Sequence, residues 1–178
     1  MNKKIVGLLL ISTGLLACNN TEKAADVKSF FDISGFFDAE AKRLSGLNPS
    51  ITKTVSQNDA SEAKTLKIDD WQAELSLFTE SDINKPAWKN SYLVKRGLSG
   101  VTYLALDKSL RTQKIELRFK EPETIKSIAI TNVTNNPLYT STETLFYSPD
   151  SLYLINKEQH VRVLGNNNYR ISGKFPPQ

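Results

Sequence analysis

The chain predicts an α+β fold: two helices in its N-terminal half packed on a long antiparallel β-meander sheet, which could curve towards a half-barrel. Three observations carry that expectation. Apolar residues recur at three- and four-residue steps in two segments of the first half. From Tyr92 onward, apolar and polar side chains alternate in short runs. The links between those runs are too short for crossover helices, so neighbouring strands must run antiparallel.

The first helix is expected from about Ser29 to Leu47, where Phe30, Ile33, Phe37, Ala41 and Leu44 form one apolar stripe. Asp38, Glu40, Lys42 and Arg43 fall largely off that stripe. Gly35 should make the first turn separate or irregular, because glycine costs roughly 1 kcal/mol inside a helix. Asn48-Pro49 ends the element. Its polar face carries both signs of charge and is not rich in lysine, which favours core packing over a membrane-surface helix.

Ile51–Ser56 and Ala63–Ile68 alternate like strands around the turn residues Gln57-Asn58-Asp59, which predicts a hairpin. Asp69 or Asp70 can cap a short second helix, Asp69 with Gln72 having the spacing of a capping box, and Trp71, Leu75 and Phe78 share one face of it. Pro86 stops any continuation, leaving Asp82–Trp88 as a loop pinned by Trp88. Strands then follow at Tyr92–Arg96, Val101–Leu106, Gln113–Phe119, Ser127–Thr131, Leu138–Tyr147, Leu152–Asn156, His160–Leu164 and Tyr169–Phe175. Turn chemistry separates many of them: Gly97–Gly100, Glu121-Pro122, Asn135–Pro137, Pro149-Asp150 and Gly165–Asn168.

Ahead of this body lies a different kind of segment. Lys3 and Lys4 precede an apolar run, Ile5–Leu16, that is too short to span a bilayer, followed by Leu15-Leu16-Ala17-Cys18. That order resembles the lipobox of bacterial lipoproteins, with Leu16 standing where the family more often has a smaller residue. The resemblance implies cleavage after Ala17 and acylation of Cys18, whose thiol would receive a diacylglyceryl group. The expected organisation is then a signal peptide at 1–17, the lipidated cysteine and a flexible tether at 18–28, and a single domain at 29–178. The chain as a whole also resembles small Bacteroidota-type envelope lipoproteins. In those, an acidic cluster after the cysteine marks surface export; here Glu22 is followed at once by Lys23, so an outer-membrane anchor facing the periplasm is the expected placement.

The full chain has 23 basic and 19 acidic residues. The leader holds two of the basic ones, so the mature chain has 21 against 19, and no Lys/Arg run points to nucleic acid. Cys18 is the sole cysteine, which excludes an intrachain disulfide, a cysteine nucleophile and a cysteine-based zinc site.

Nothing in the body spells a reaction centre, and no cofactor is expected. His160, the sole histidine, should sit on a solvent face with Arg162. No serine lies in a nucleophile elbow, and no His-Glu-x-x-His or phosphate loop occurs. Asp69, Asp70, Glu74, Glu80 and Asp82 form the nearest approach to the paired carboxylates of glycoside chemistry, but read more simply as a helix cap and a solvated helix face and end. Asp150-Ser151-Leu152 resembles a short acceptor for bacterial O-glycosylation, and a tight turn explains it equally well. Six tyrosines, Tyr92, Tyr103, Tyr139, Tyr147, Tyr153 and Tyr169, all fall in expected strands and could line an apolar site or simply half-fill a sheet.

Three functions follow as expectations. The first is a non-enzymatic envelope lipoprotein, a binding or structural module whose partners are the membrane, through the lipid on Cys18, and either an apolar ligand or an envelope protein. The second is a lipid or lipoprotein carrier with a half-barrel cavity. The third is a carboxylate-dependent envelope hydrolase.

Overall fold

A computed structural model describes residues 28–122 and 124–177. Cys18, Ala17 and the expected leader and tether up to residue 27 lie outside these described residues.

Helix α1 (Ile33–Leu47) buries Ile33, Phe37, Ala41 and Leu44, the stripe its spacing predicts. It starts four residues later than expected, because Asp32 is its N-cap and accepts from the Gly35 amide at 2.8 Å. The expected first turn, residues 29–32, is thus separate from the helix, and Gly35 makes room for the cap, since a Cβ there would collide with the Asp32 carboxylate. Asn48 closes the helix in the left-handed region at φ 46°, its amide donating to the Leu44 carbonyl. Glu40, expected off the buried stripe, is itself buried.

The strands are β1 (Ser50–Gln57), β2 (Ala60–Lys67), β3 (Tyr92–Gly97), β4 (Gly100–Ala105), β5 (Thr112–Glu121), β6 (Thr124–Asn135), β7 (Tyr139–Ser148), β8 (Leu152–Val161) and β9 (Gly165–Lys174). All pair antiparallel in one open sheet of order β2-β1-β9-β8-β7-β6-β5-β4-β3. From β3 to β9 each strand pairs with its successor, and the β1–β2 hairpin then adds to the free side of β9. The expected α+β meander is thus the observed fold.

That order puts β2 and β3 at opposite edges. The segment from 68 to 91 must therefore cross the sheet, roughly 38 Å at about 4.8 Å per strand spacing. It does so as two single-turn helices, α2 (Trp71–Glu74) and α3 (Ser76–Thr79), and a 3-10 turn at Pro86–Trp88. The one helix expected over Trp71–Phe78 is interrupted at Leu75, where φ −98° and ψ 7° leave the helical region. The interruption separates two anchors: Trp71 stacks on Phe175, and Phe78 stacks on Phe37 at 4.6 Å. Of the two expected caps it is Asp70 that accepts from the Ala73 amide, and the Asp69–Gln72 box does not form, since Gln72 donates to Asp38 of α1.

The crossing segment and α1 cover one face of the sheet. Against them stand Ile51, Tyr103, Ile115, Leu117, Ile128, Ile130, Leu145, Tyr147, Tyr153 and Ile155, all buried and forming one core. Fully burying such side chains stabilises by roughly 1.5–3 kcal/mol each. Phe37, Phe78 and Tyr147 meet edge-to-face or stacked within 6.1 Å, so side chains fill the space between helix and sheet.

One correction concerns the strand count. Ten strands were expected and nine form, because Leu152–Asn156 and His160–Leu164 belong to a single β8 that ends at Val161. The turn lies at Arg162–Leu164, and the Asn-rich run after Gly165 is strand, not turn. Asn58 holds that run in place: its amide donates to the Asn168 carbonyl and its side-chain oxygen accepts from the Asn168 amide. Long-range pairing overrides the local turn preference of asparagine.

Candidate binding surfaces

Three buried or half-buried carboxylates lie where the covering layer meets the sheet, and each is fully engaged. Glu40 on α1 accepts from the Tyr147 hydroxyl at 2.6 Å and from the Arg43 guanidinium on both oxygens. Arg43 reaches on to Asp150 at 2.7 Å, in the turn between β7 and β8, where Asp150 holds φ 55°. Glu74 on α2 accepts from the Tyr153 hydroxyl at 2.5 Å and from Lys53 of β1 at 2.6 Å. Glu143 on β7 takes Arg111 at 2.7 Å and Lys157 at 3.1 Å. Burial pushes the Glu143 carboxyl up, but Lys157 and Arg111 outweigh it and hold the group below the usual carboxylate range. The Asn132 amide beside it donates to the Ser81 hydroxyl at 2.9 Å, joining β6 to the crossing segment.

Each of these carboxylates is taken up by donors that tie one part of the fold to another. The other members of the expected acidic cluster are scattered in role. Asp70 caps α2, Asp82 accepts from Asn84, and Asp69 and Glu80 are exposed. No group of three metal-binding side chains occurs among the described residues.

Five of the six tyrosines act as hydroxyl anchors. Tyr92 donates to the Thr112 carbonyl at 2.8 Å, Tyr103 accepts from the Phe31 amide at 3.1 Å, and Tyr147 and Tyr153 hold Glu40 and Glu74. Tyr169 accepts from Gln57 at 3.2 Å, and Tyr139 is half-buried. Tyr103, Tyr147 and Tyr153 fasten the layer that covers the sheet, while Tyr92 and Tyr169 tie strand to strand. The strand placement of the tyrosines was legible; the carboxylate partners of Tyr147 and Tyr153, more than seventy residues away in sequence, were not.

His160 is exposed, as expected, with Nδ1 2.6 Å from Asn166 Oδ1 on the uncovered face of the sheet. Arg162 does not share its strand, since it belongs to the turn. The uncovered face is rich in hydroxyls and amides, with Thr140, Thr142, Glu158, Asn166 and Asn168 around His160 in a shallow depression.

At the opposite end of the sheet is a more apolar groove of about 450 Å³, lined by Phe31, Leu98, Ser99, Phe119, Lys120, Glu121 and Pro122. Leu98 stands at the tip of the β3–β4 hairpin, fully exposed. An adjoining groove of about 290 Å³ shares Leu98 and Ser99 and adds Lys95, Arg96, Glu116 and Arg118. Sequence reading took Gly97–Gly100 as a turn and missed this surface, because the tip, Phe31 and the β5–β6 end meet only in the folded chain.

No helix among the described residues is long and apolar enough to cross a membrane. Comparison with protein-family models, with curated proteins and with solved structures returns no match to this chain.

Proposed function

We propose that this chain is an envelope lipoprotein, acylated at Cys18 and held at the outer membrane facing the periplasm, whose domain is a non-enzymatic binding or structural module. The observation that carries the reading is the order Lys3-Lys4, apolar run, Leu15-Leu16-Ala17-Cys18. Each buried methylene of an acyl chain contributes about 0.8 kcal/mol, and more than one chain is needed for durable anchoring, which the lipoprotein pattern of acylation supplies.

Two features of the domain support a module without a reaction. Glu40, Glu74 and Glu143 are each engaged by two donors that fasten the fold, so the buried carboxylates serve as structural anchors, which supports the binding or structural reading over the hydrolase one. The aromatic packing of Phe37, Phe78 and Tyr147 fills the space where a lipid carrier would need its hollow. The partners left are the bilayer, through the lipid on Cys18, and an apolar ligand or envelope protein at the surface.

The test is mass spectrometry of the mature protein with membrane fractionation of Cys18→Ala. A chain beginning at Cys18 and carrying acyl mass is the expected result, with Cys18→Ala lost from the membrane fraction. A chain that keeps Met1 and no acyl group, or a variant that fractionates like the native protein, overturns the reading.

A further inference from the structure

Around the tip of the β3–β4 hairpin, one exposed leucine is ringed by cations. Lys95, Arg96 and Arg118 line one groove, Lys120 lines the next, and Leu98 lies between the two. None of these four has a carboxylate partner among the described residues, whereas Lys114 of the same sheet is paired with Glu116. Two carboxylates line these grooves, Glu121 in the apolar one and Glu116, held by Lys114, in the other, against the four cations. An exposed aliphatic side chain set among unpaired cations matches an anionic phospholipid surface, where headgroups meet the charges and the acyl boundary takes the leucine.

The described chain also passes here: Lys28, Ser29 and Phe30 line a separate groove with Asn84, Lys85 and Pro86 before Phe31 reaches the tip. Phe31 lines the apolar groove, and its amide donates to the Tyr103 hydroxyl beside β3. Ten residues separate Cys18 from Ser29, a span of at most about 35 Å and about 18 Å as a flexible coil. A lipid on Cys18 would therefore keep the β3 edge of the sheet, its hairpin tip included, within reach of the bilayer. The far end also exposes apolar residues, Leu138, Val163 and Leu164, but Arg162 is the cation of that turn and the chain does not start there.

We infer that the Leu98 hairpin tip, with Lys95, Arg96, Arg118 and Lys120, is a docking surface for anionic phospholipid that fixes the domain's orientation on the membrane. The inference deepens the tether reading, yet the two can fail separately.

The experiment places the full chain, as processed in the cell, in vesicles of phosphatidylglycerol and brominated phosphatidylcholine. Tryptophan fluorescence is read in Leu98→Trp and, at the far end, in Leu164→Trp, against the native background of Trp71 and Trp88. The added emission of Leu98→Trp should be quenched and that of Leu164→Trp should not. Adding Lys95→Glu and Arg118→Glu, or omitting phosphatidylglycerol, should lower the docked-to-undocked ratio about tenfold or more. Equal quenching at the two sites overturns the proposal, as does quenching that ignores the anionic lipid. So does a Leu98→Trp that brominated lipid never reaches although an envelope protein shields it from aqueous iodide. An acylated chain left unquenched at 98 sinks the docking and keeps the tether; an unacylated chain quenched at 98 does the reverse.

Discussion

Tyr147 and Tyr153 face each other across β7 and β8, and their hydroxyls reach two different helices, Glu40 of α1 and Glu74 of α2. One cross-strand pair thus fastens both helices to the middle of the sheet. A hydrogen bond to a charged group contributes about 1.5–3 kcal/mol, so Tyr147→Phe and Tyr153→Phe should each lower stability by about 2 kcal/mol. Denaturant unfolding measures this. A loss below half a kcal/mol in both would mean that the helices are held by apolar packing alone.

The same phenols should govern alkaline behaviour. Burial raises the pKa of Tyr92, to about 12, and burial together with the glutamate hydrogen bonds raises Tyr147 and Tyr153 further. Above pH 10.0, the ordinary tyrosine value, the unfolded chain releases these protons while the folded chain keeps them. Stability is therefore complete below that value and falls as pH rises towards the folded values. Stability measured from pH 9 upward should decline with a slope that flattens in Tyr147→Phe. An unchanged slope in that variant would mean the phenol titrates as freely folded as unfolded.

At the acid end the sign reverses. Glu143 is held below its ordinary value of 4.5 by Lys157 and Arg111 against the cost of burial. Its contribution is present above that value and is lost as pH falls through the lowered folded one. Glu143→Gln should cost about 2 kcal/mol at neutral pH, discounted because both cations are partly exposed, and should flatten the acid limb. The check is urea unfolding from pH 7 down to pH 3. An acid limb as steep in the variant as in the native chain would shift the loss to other carboxylates.

How far could these relationships be read before the fold was known? The stripe Ile33, Phe37, Ala41, Leu44 was legible because helix periodicity reports burial directly. So was the alternation of Ile115, Leu117 and Phe119, since one sheet face is covered. Glu40 was not: its burial depends on Tyr147, 107 residues away, and only the meeting of α1 with β7 creates it. The turn after β8 was misplaced for a related reason. Val163 and Leu164 look like strand and Asn166–Asn168 look like turn, yet pairing with β8 and Asn58 reverses both. The candidate docking surface was beyond sequence reading altogether, because Phe31, Leu98 and Phe119 come together from three distant segments.

Two glycines should respond to alanine with opposite signs. Gly173 of β9 pairs with Tyr153 of β8, and a Cβ built there would overlap the Tyr153 ring. The ring must then move, which also strains its hydroxyl bond to Glu74, and overpacking of this kind costs about 1–3 kcal/mol before that bond is counted. Gly46, near the end of α1, has open space where its Cβ would project and no positive φ. Gly46→Ala should stabilise by about 0.4–1 kcal/mol, since alanine restricts the unfolded chain without a native clash. Thermal unfolding of the two variants side by side decides the matter. The melting temperature should fall for Gly173→Ala and rise by a few degrees for Gly46→Ala. If Gly173→Ala melts with the native protein, the Tyr153 ring has room to retreat, and its bond to Glu74 cannot be holding it where the sheet and helix meet.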